Sequence, residues 1–289
     1  MVYLLLVVLC NTLISIVFKL FARYKINTLQ AIVVNYLVCV ATGSIYLGRM
    51  AFSQQSIQAP WLPCCLLMGA AFISLFSLQA YTTKVDGITT TTIANKLSLV
   101  IPVLFSIMLY GDTAGIGKVV GILLAIPAIY LVTVVDKGSK HQHQLLWPIL
   151  LFIGSGLLDT LVKYAEHNYL GTTDEQAIYT IHTFATAGAI GVVLLIVLVC
   201  LKKTKLQWRN VLAGVCVGIP NYFSIYFFIR MLHTNFLQSS ATIPVNNIGT
   251  VVACTLTAIL LFREKVTATR VAGLVLALLA ILLIAFNGK

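Results

Sequence analysis

The sequence predicts an all-α polytopic membrane protein of about ten transmembrane helices. Composition is the first reason. Sixty per cent of the 289 residues are hydrophobic and only 9% are charged, against roughly 25% charged in a soluble domain. No soluble fold of this length hides that much apolar surface. The second reason is pattern. The apolar runs are continuous rather than alternating, which argues against a transmembrane β-barrel. The third is a long-range internal repeat, described below.

A spanning helix needs roughly 20 predominantly apolar residues. Segments of that kind occupy 2–21, 27–48, 61–83, 88–110, 116–135, 145–165, 177–201, 209–232, 237–262 and 268–287. They leave room for short loops and for no separate soluble domain. Lys19 and Arg23 close the first span, whereas a cleaved signal peptide has its basic residues in front. The first span is therefore expected to be retained. Turn and charge signals punctuate the chain at Arg23-Tyr24-Lys25, Lys84-Val85-Asp86-Gly87, Tyr110-Gly111-Asp112, Asp136-Lys137-Gly138 and Lys202-Lys203-Thr204-Lys205.

The formal net charge is +11. The basic residues sit between spans, where they set orientation, so the expected partner is the bilayer and not nucleic acid. Lys19, Arg23, Lys25, Lys84, Lys137, Lys140, Lys202, Lys203, Lys205, Arg209, Arg263, Lys265 and Arg270 follow the odd-numbered spans; Arg49 and Lys118 stand almost alone on the other side. That bias favours both termini outside, and the expected location is a cell membrane of bacterial inner-membrane type. The seven cysteines lie in apolar runs with no CxxC pair. Packing explains them better than metal or redox chemistry, and no cofactor is expected. His141-Gln142-His143 lacks carboxylate or cysteine company and reads as a solvated loop.

A slide of 152 residues lays Gly87–Val132 over Ser239–Ile284. Asn95 falls on Asn247, Tyr110-Gly111-Asp112 on Phe262-Arg263-Glu264, and Lys118-Val119-Val120-Gly121 on Arg270-Val271-Ala272-Gly273. A weaker match pairs Lys19 with Lys163. Residues 1–136 and 145–289 thus read as two five-helix copies. An odd number of spans per copy makes their orientations opposite, the inverted repeat of many secondary transporters.

Polar residues at mid-span must face protein or water. Span 1 has Asn11, Ser15 and Lys19 at spacing four, and span 2 has Asn35 beside Tyr36. Span 3 carries Ser74, Ser77, Gln79 and Tyr81. Span 4 carries Thr89 to Thr92, Asn95, Lys96 and Pro102. Span 6 has Ser155, Asp159 and Lys163 at spacing four; span 7 has Tyr179, His182, Thr183 and Thr186. Span 8 presents Asn221, Tyr222, Tyr226 and Arg230, and span 9 presents Ser239, Ser240, Thr242, Pro244, Asn246 and Asn247. Spans 5 and 10 are almost wholly apolar. A central cavity walled by spans 1–4 and 6–9 is therefore expected. Spans 5 and 10 go to the periphery, facing lipid or a second subunit in a homodimer, with Gly117 and Gly121 as small packing residues.

Candidate substrate contacts are Asn11, Asn35, Gln79, Tyr81, Thr92, Asn95, Lys96, Asp159, His182, Asn221, Tyr222, Tyr226, Asn246 and Asn247. Lys96 and Asp159 are the ionisable pair among them. A buried unpaired charge costs several kcal/mol, so both are expected on one cavity, paired or contacting substrate separately. Asp159 has two other open assignments: a local pair with Lys163 one turn on, or the proton carrier of a coupled cycle. The asparagines likewise suit either substrate binding or interhelical hydrogen bonds.

The two turns Tyr110-Gly111-Asp112 through Gly121 and Leu261-Phe262-Arg263-Glu264-Lys265 through Gly273 carry a resemblance. The chain resembles the drug/metabolite transporter superfamily, and within it the EamA-type proteins of two five-helix repeats. The first turn has Asp112 where that family usually has Glu. The resemblance spans the chain and implies a fold and a transport role, but no particular substrate. Ten-helix relatives usually keep their termini in the cytoplasm, opposite to the orientation the charges favour here.

The expected function is secondary transport, as exporter or exchanger, of a small polar or amphipathic organic metabolite, coupled to protons or a counter-substrate. No nucleotide motif GxxxxGK[ST] is present. The alternatives are a channel, a non-transporting sensor or an intramembrane enzyme. For the last, Gly154-Ser155-Gly156 has no companion histidine at recognisable spacing, and no HExxH occurs. A single cysteine placed at either terminus is expected to react with an impermeant maleimide in intact cells. Labelling only after lysis would reverse the orientation.

Overall fold

A computed structural model of the chain describes residues 2–49, 51–53, 56, 58–110, 115–133, 146–233, 239–264 and 267–286. Asp112, Asp136, Lys137, Lys265 and the His141–His143 tract lie outside the described residues, as do the side chains of Lys163, Ser239, Ser240, Thr242 and Pro244.

The described residues form helices and no strand. They are α1 (Val2–Arg23), α2 (Thr28–Leu47), α3 (Leu62–Asp86), α4 (Ile88–Leu97), α5 (Val100–Tyr110), α6 (Ile116–Thr133), α7 (Leu146–Tyr169), α8 (Thr173–Cys200), α9 (Trp208–His233), α10 (Ser239–Phe262) and α11 (Ala268–Phe286). Seven stretches among the described residues are long and apolar enough to cross a bilayer, including Ile88–Phe105, which joins α4 to α5. Shorter apolar helices occupy Ile116–Leu131, Leu146–Val162 and Ala268–Ile284. The chain is a multi-pass, all-α membrane protein.

Span 4 is broken, where the sequence predicted one helix over 88–110. Pro102 has no N–H for the Ser98 carbonyl, and its ring crowds that carbonyl. The turn tightens instead: Ile101 N–H donates to the Ser98 carbonyl at 2.9 Å. The result is a ten-residue half-helix, α4, ending at the position of Lys96 and Leu97. Pro127 and Pro220 sit inside α6 and α9 without ending them.

Backbone turns close the helix ends that carry Lys25, Lys202 and Arg263. These three take left-handed backbone (φ +51°, +54° and +50°) and cap α1, α8 and α10. After α1, Ile26 N–H reaches the Phe21 carbonyl at 2.9 Å, and after α8, Lys203 N–H reaches the Leu198 carbonyl at 2.9 Å; both are Schellman-type closures. The start of α2 is tied to α9. Asn27 caps α2 through Gln30 N–H, its own N–H donates to Asn210 Oδ1 at 3.0 Å, and Asn210 Nδ2 donates to Gln30 Oε1 at 2.6 Å.

The helices pack as two groups, and each group mixes the halves of the chain. One is built on α1, α2, α3, α8 and α9 around Phe18, Tyr36, Ile73, Phe184 and Val217. The other is built on α4, α5, α6, α10 and α11 around Ile93, Leu97, Ala128, Ala277 and Ile281. Residues 1–136 and 145–289 therefore interleave instead of forming separate cores. Within the second group α6 and α11 pack on each other through Gly121, Ala125, Ala128, Ala277 and Ala280. Their outward residues Leu123, Ile126, Tyr130, Val275 and Leu279 are exposed, as a lipid-facing surface requires.

In the first group α2 and α9 run side by side in the same direction, and two glycines bring them together. A Cβ on Gly214 would lie 2.6 Å from the Ala31 carbonyl and 2.5 Å from Val34 Cβ. One on Gly218 would lie 2.9 Å from the Asn35 carbonyl. Small residues four apart allow this close approach in a membrane, where no hydrophobic force separates lipid from leucine. Gly214→Leu is expected to force the helices apart at a cost of about 1–3 kcal/mol. Thermal unfolding in detergent measures it, and an unchanged midpoint would remove Gly214 from the packing.

Candidate functional site

A seam runs between the two helix groups: α1 of the first meets α4 and α10 of the second, and α7 packs on both, through Leu158, Leu161 and Ala165 toward α3 and through Phe152 toward the core of the second group. Polar residues meet across it. Asn95 Nδ2 on α4 donates to Ser155 Oγ on α7 at 3.2 Å. Asp159, one turn beyond Ser155, lies within reach of the Lys96 charge, while the Ser98 hydroxyl donates to the Asn95 carbonyl at 2.5 Å. Lys96 and Asp159 are both described residues, and they interact through space without a direct ion pair. Gly156 makes this possible. A Cβ there would sit 2.8 Å from the Ser98 carbonyl and 2.5 Å from Ile101 Cδ1, so α7 lies directly on the break between α4 and α5.

Exposure singles out Asp159. Ile153, Leu157 and Tyr164 mark the outward face of α7. Asp159 falls on the opposite face by helical spacing, beside buried Ser155 and Gly156, yet it is exposed. Lys96 facing it is half-buried. Asp159 thus keeps exposed surface on the side of α7 turned away from Ile153, Leu157 and Tyr164.

On the other stretch of the seam the contacts are neutral. Cys254 on α10 lies 3.8 Å from Thr12 Oγ1 and 3.6 Å from Ser15 Oγ on α1. Asn246 and Asn247 are buried on α10, and Asn246 Oδ1 has no hydrogen-bond partner among the described residues. Thr92 is buried on α4, and Asn11 is half-buried on α1.

Other predicted contacts lie elsewhere. Asn221 Nδ2 donates to Asn35 Oδ1 at 3.1 Å, and Cys39 Sγ joins them at 3.5 Å from Asn221. This buried cluster ties α2 to α9. Tyr222 is buried against the position of Gly43. Tyr226 shares a hydroxyl hydrogen bond with Tyr46 and accepts one from Arg230 Nε at 3.1 Å. His182 Nδ1 meets the Ile178 carbonyl at 2.9 Å, and its ring lies between Phe52 and Trp61, 4.8 and 5.2 Å away by centroids. Tyr81 is exposed, edge-on to Trp147. Gln79 is half-buried on α3. The structure thus gathers Asn95, Lys96 and Asp159, and disperses Asn35, Tyr81, His182, Asn221, Tyr222 and Tyr226.

Sequence reasoning missed Ser98, Thr12 and Cys254 as seam residues. It also missed the partners of Lys19 and Glu264. Lys19 Nζ lies 3.0 Å from Glu264 Oε1. The same carboxylate accepts Ile88 N–H at 3.0 Å and the Thr89 hydroxyl at 3.3 Å. The repeat contained one signal for it, since the second acidic turn was visible as a motif.

No family model matches the chain. A protein of Haemophilus influenzae, itself uncharacterised, is 24% identical over 291 residues, covering 98% of this chain and 97% of its own. A solved crystal structure is similar in fold, with a TM-score of 0.60 at 14% identity, over 96% of this chain and 95% of its own.

The Asn35–Asn221 contact is expected to behave as an interhelical lock. Interhelical hydrogen bonds in membranes are worth roughly 0.6–2 kcal/mol, and a double-mutant cycle of Asn35→Ala and Asn221→Ala should return a coupling of that order. Strict additivity would show that the two side chains stabilise the fold independently.

Proposed function

We propose that the chain is a secondary transporter, an exporter or exchanger of a small polar or amphipathic organic molecule, working by alternating access around the α4–α7 seam. The observation that carries this is Asp159, exposed on the inner face of α7 opposite Lys96 at the end of a broken span. Charges are kept inside spans where a solute or ion needs them. Transporters commonly place their sites at interrupted helices near the bilayer midplane.

The proposal includes ten spans arranged as an inverted repeat, in the manner of the drug/metabolite transporter superfamily. Packing supports it. Exchanging the two halves of the chain turns the α2–α9 contact into α8–α3, and the α1–α10 contact into α7–α4 and α7–α5; α2–α8, α4–α10 and α6–α11 map onto themselves. Each of these contacts is present.

The repeat pairing supports a polarised site. Sliding the chain by 144 residues puts Asn11 on Ser155 and Ser15 on Asp159, and the 152-residue slide puts Asn95 on Asn247 and Lys96 on Ile248. Both charges therefore stand on the α4–α7 side, and their repeat mates on α1 and α10 are neutral. A substrate with a charged or strongly polar end would orient toward α4 and α7. Asp159 is the residue assigned to carry a proton where transport is proton-coupled. The basic face bearing Lys19, Lys202 and Arg263 is assigned to the cytoplasm.

A thermal-shift screen against metabolites supplies a ligand, since binding to the folded state raises apparent stability. With that ligand, Lys96→Ala and Asp159→Asn are each expected to lower transport roughly tenfold or more, the effect of about 1.4 kcal/mol of lost binding. Wild-type rates in both variants would sink the proposal.

A further inference from the structure

One face of the seam is held shut by a contact that no catalytic or binding role accounts for. Glu264 follows α10. Arg263 takes left-handed backbone at φ +50°, its N–H reaches the Ile259 carbonyl at 3.1 Å, and Glu264 N–H reaches the Ala258 carbonyl at 3.1 Å. This closure aims the Glu264 side chain across the seam. There it accepts Ile88 N–H and the Thr89 hydroxyl at the start of α4, and pairs with Lys19 at the end of α1. The pair is largely withdrawn from solvent, with side chains 23% and 10% exposed.

The start of α4 is built to receive that carboxylate. Its N-cap is Gly87, which has no side chain to cap the helix. Its backbone (φ +93°) is a conformation that residues with a Cβ rarely adopt. A Cβ at that point would lie 2.7 Å from Glu264 Oε1. Glu264 supplies the cap from another helix, and its negative charge suits the positive end of the α4 dipole. Directly associated with α4 and α10 at this end is an apolar cluster of Ile88, Cys254 and Ala258, all fully buried, with Phe262 against it. An ionic clasp and an apolar plug thus close the same end of the seam, and the clasp joins α1 of one helix group to α4 and α10 of the other.

We infer that Glu264, through Lys19 and the α4 N-terminus, is the gate that closes the seam on the face carrying Lys19 and Arg263. The inference rests on the alternating-access proposal for the seam. Opening that face requires the carboxylate to leave either Lys19 or the α4 cap. Because Lys96 lies in the last turn of α4, ten residues long, the clasp connects the gate with the site over a single short helix. A solute that draws Lys96 toward itself would then bias the gate through α4.

Cys254 in the plug is a native reporter. In a full-length protein whose other six cysteines are replaced, an impermeant methanethiosulfonate reagent is applied separately to each face, using vesicles of the two orientations. Glu264→Gln and Lys19→Gln are each expected to raise the labelling rate from the Lys19 face by roughly tenfold, the population that one charge-assisted hydrogen bond holds back. Labelling from the opposite face should fall. Unchanged labelling from the Lys19 face overturns the gate. So does faster labelling from both faces, the mark of a local packing lesion. The readout does not depend on transport. One-sided opening with no solute exchange would keep the gate and remove the transport function; transport with unchanged labelling would do the reverse.

Discussion

Inside a bilayer no water pairs a stray charge, so each ionisable side chain in a span must be answered from another helix. In this protein that constraint organises the interior. Lys96 on α4 and Asp159 on α7 interact across the boundary between two helix groups, Asp159 exposed and Lys96 half-buried. Their location dictates that α7 lie against the break after Leu97, which Gly156 permits and Pro102 creates.

The rest of the architecture serves that boundary. Aromatic and aliphatic residues weld α1, α2, α3, α8 and α9 together, and glycine contacts bring α2 against α9 at van der Waals range. Alanine-rich faces weld α6 to α11 beside α4 and α10. The surface between the groups carries Asn95, Ser98, Ser155 and Asp159 on one stretch and Thr12, Ser15 and Cys254 on another. Two well-packed bodies with a polar interface can shift relative to each other more cheaply than either can deform, because packed cores resist continuous distortion. That is the mechanical requirement of alternating access.

Much of this was legible in the sequence because lipid imposes a strong pattern. Helix positions follow from apolar runs, and the residues predicted for span 2, 27–48, match Thr28–Leu47 within a residue at each end. The polar character of span 4 and span 6 led directly to Lys96 and Asp159. The break in span 4 was less legible, since a proline inside a helix often leaves it continuous, as Pro220 does in α9. The asparagines could not be sorted by type: Asn95 reaches the seam, while Asn35 and Asn221 bond each other. Which partner an amide finds depends on helix rotation, which spacing alone leaves undetermined. Glu264 was visible only as part of an acidic turn, and its partners lie 176 and 175 residues away in the chain. Lys19 was counted among orientation-setting charges, although the structure places it in an ion pair.

The seam is proposed as a carrier site that opens to one side at a time. Counterflow in proteoliposomes tests it most directly. With a bound metabolite as the probe, unlabelled solute trapped inside should drive a transient accumulation of labelled solute from outside, and the initial rate should saturate with concentration. A flux that grows in proportion to the gradient, with no counterflow overshoot, would describe a pore and contradict the claim.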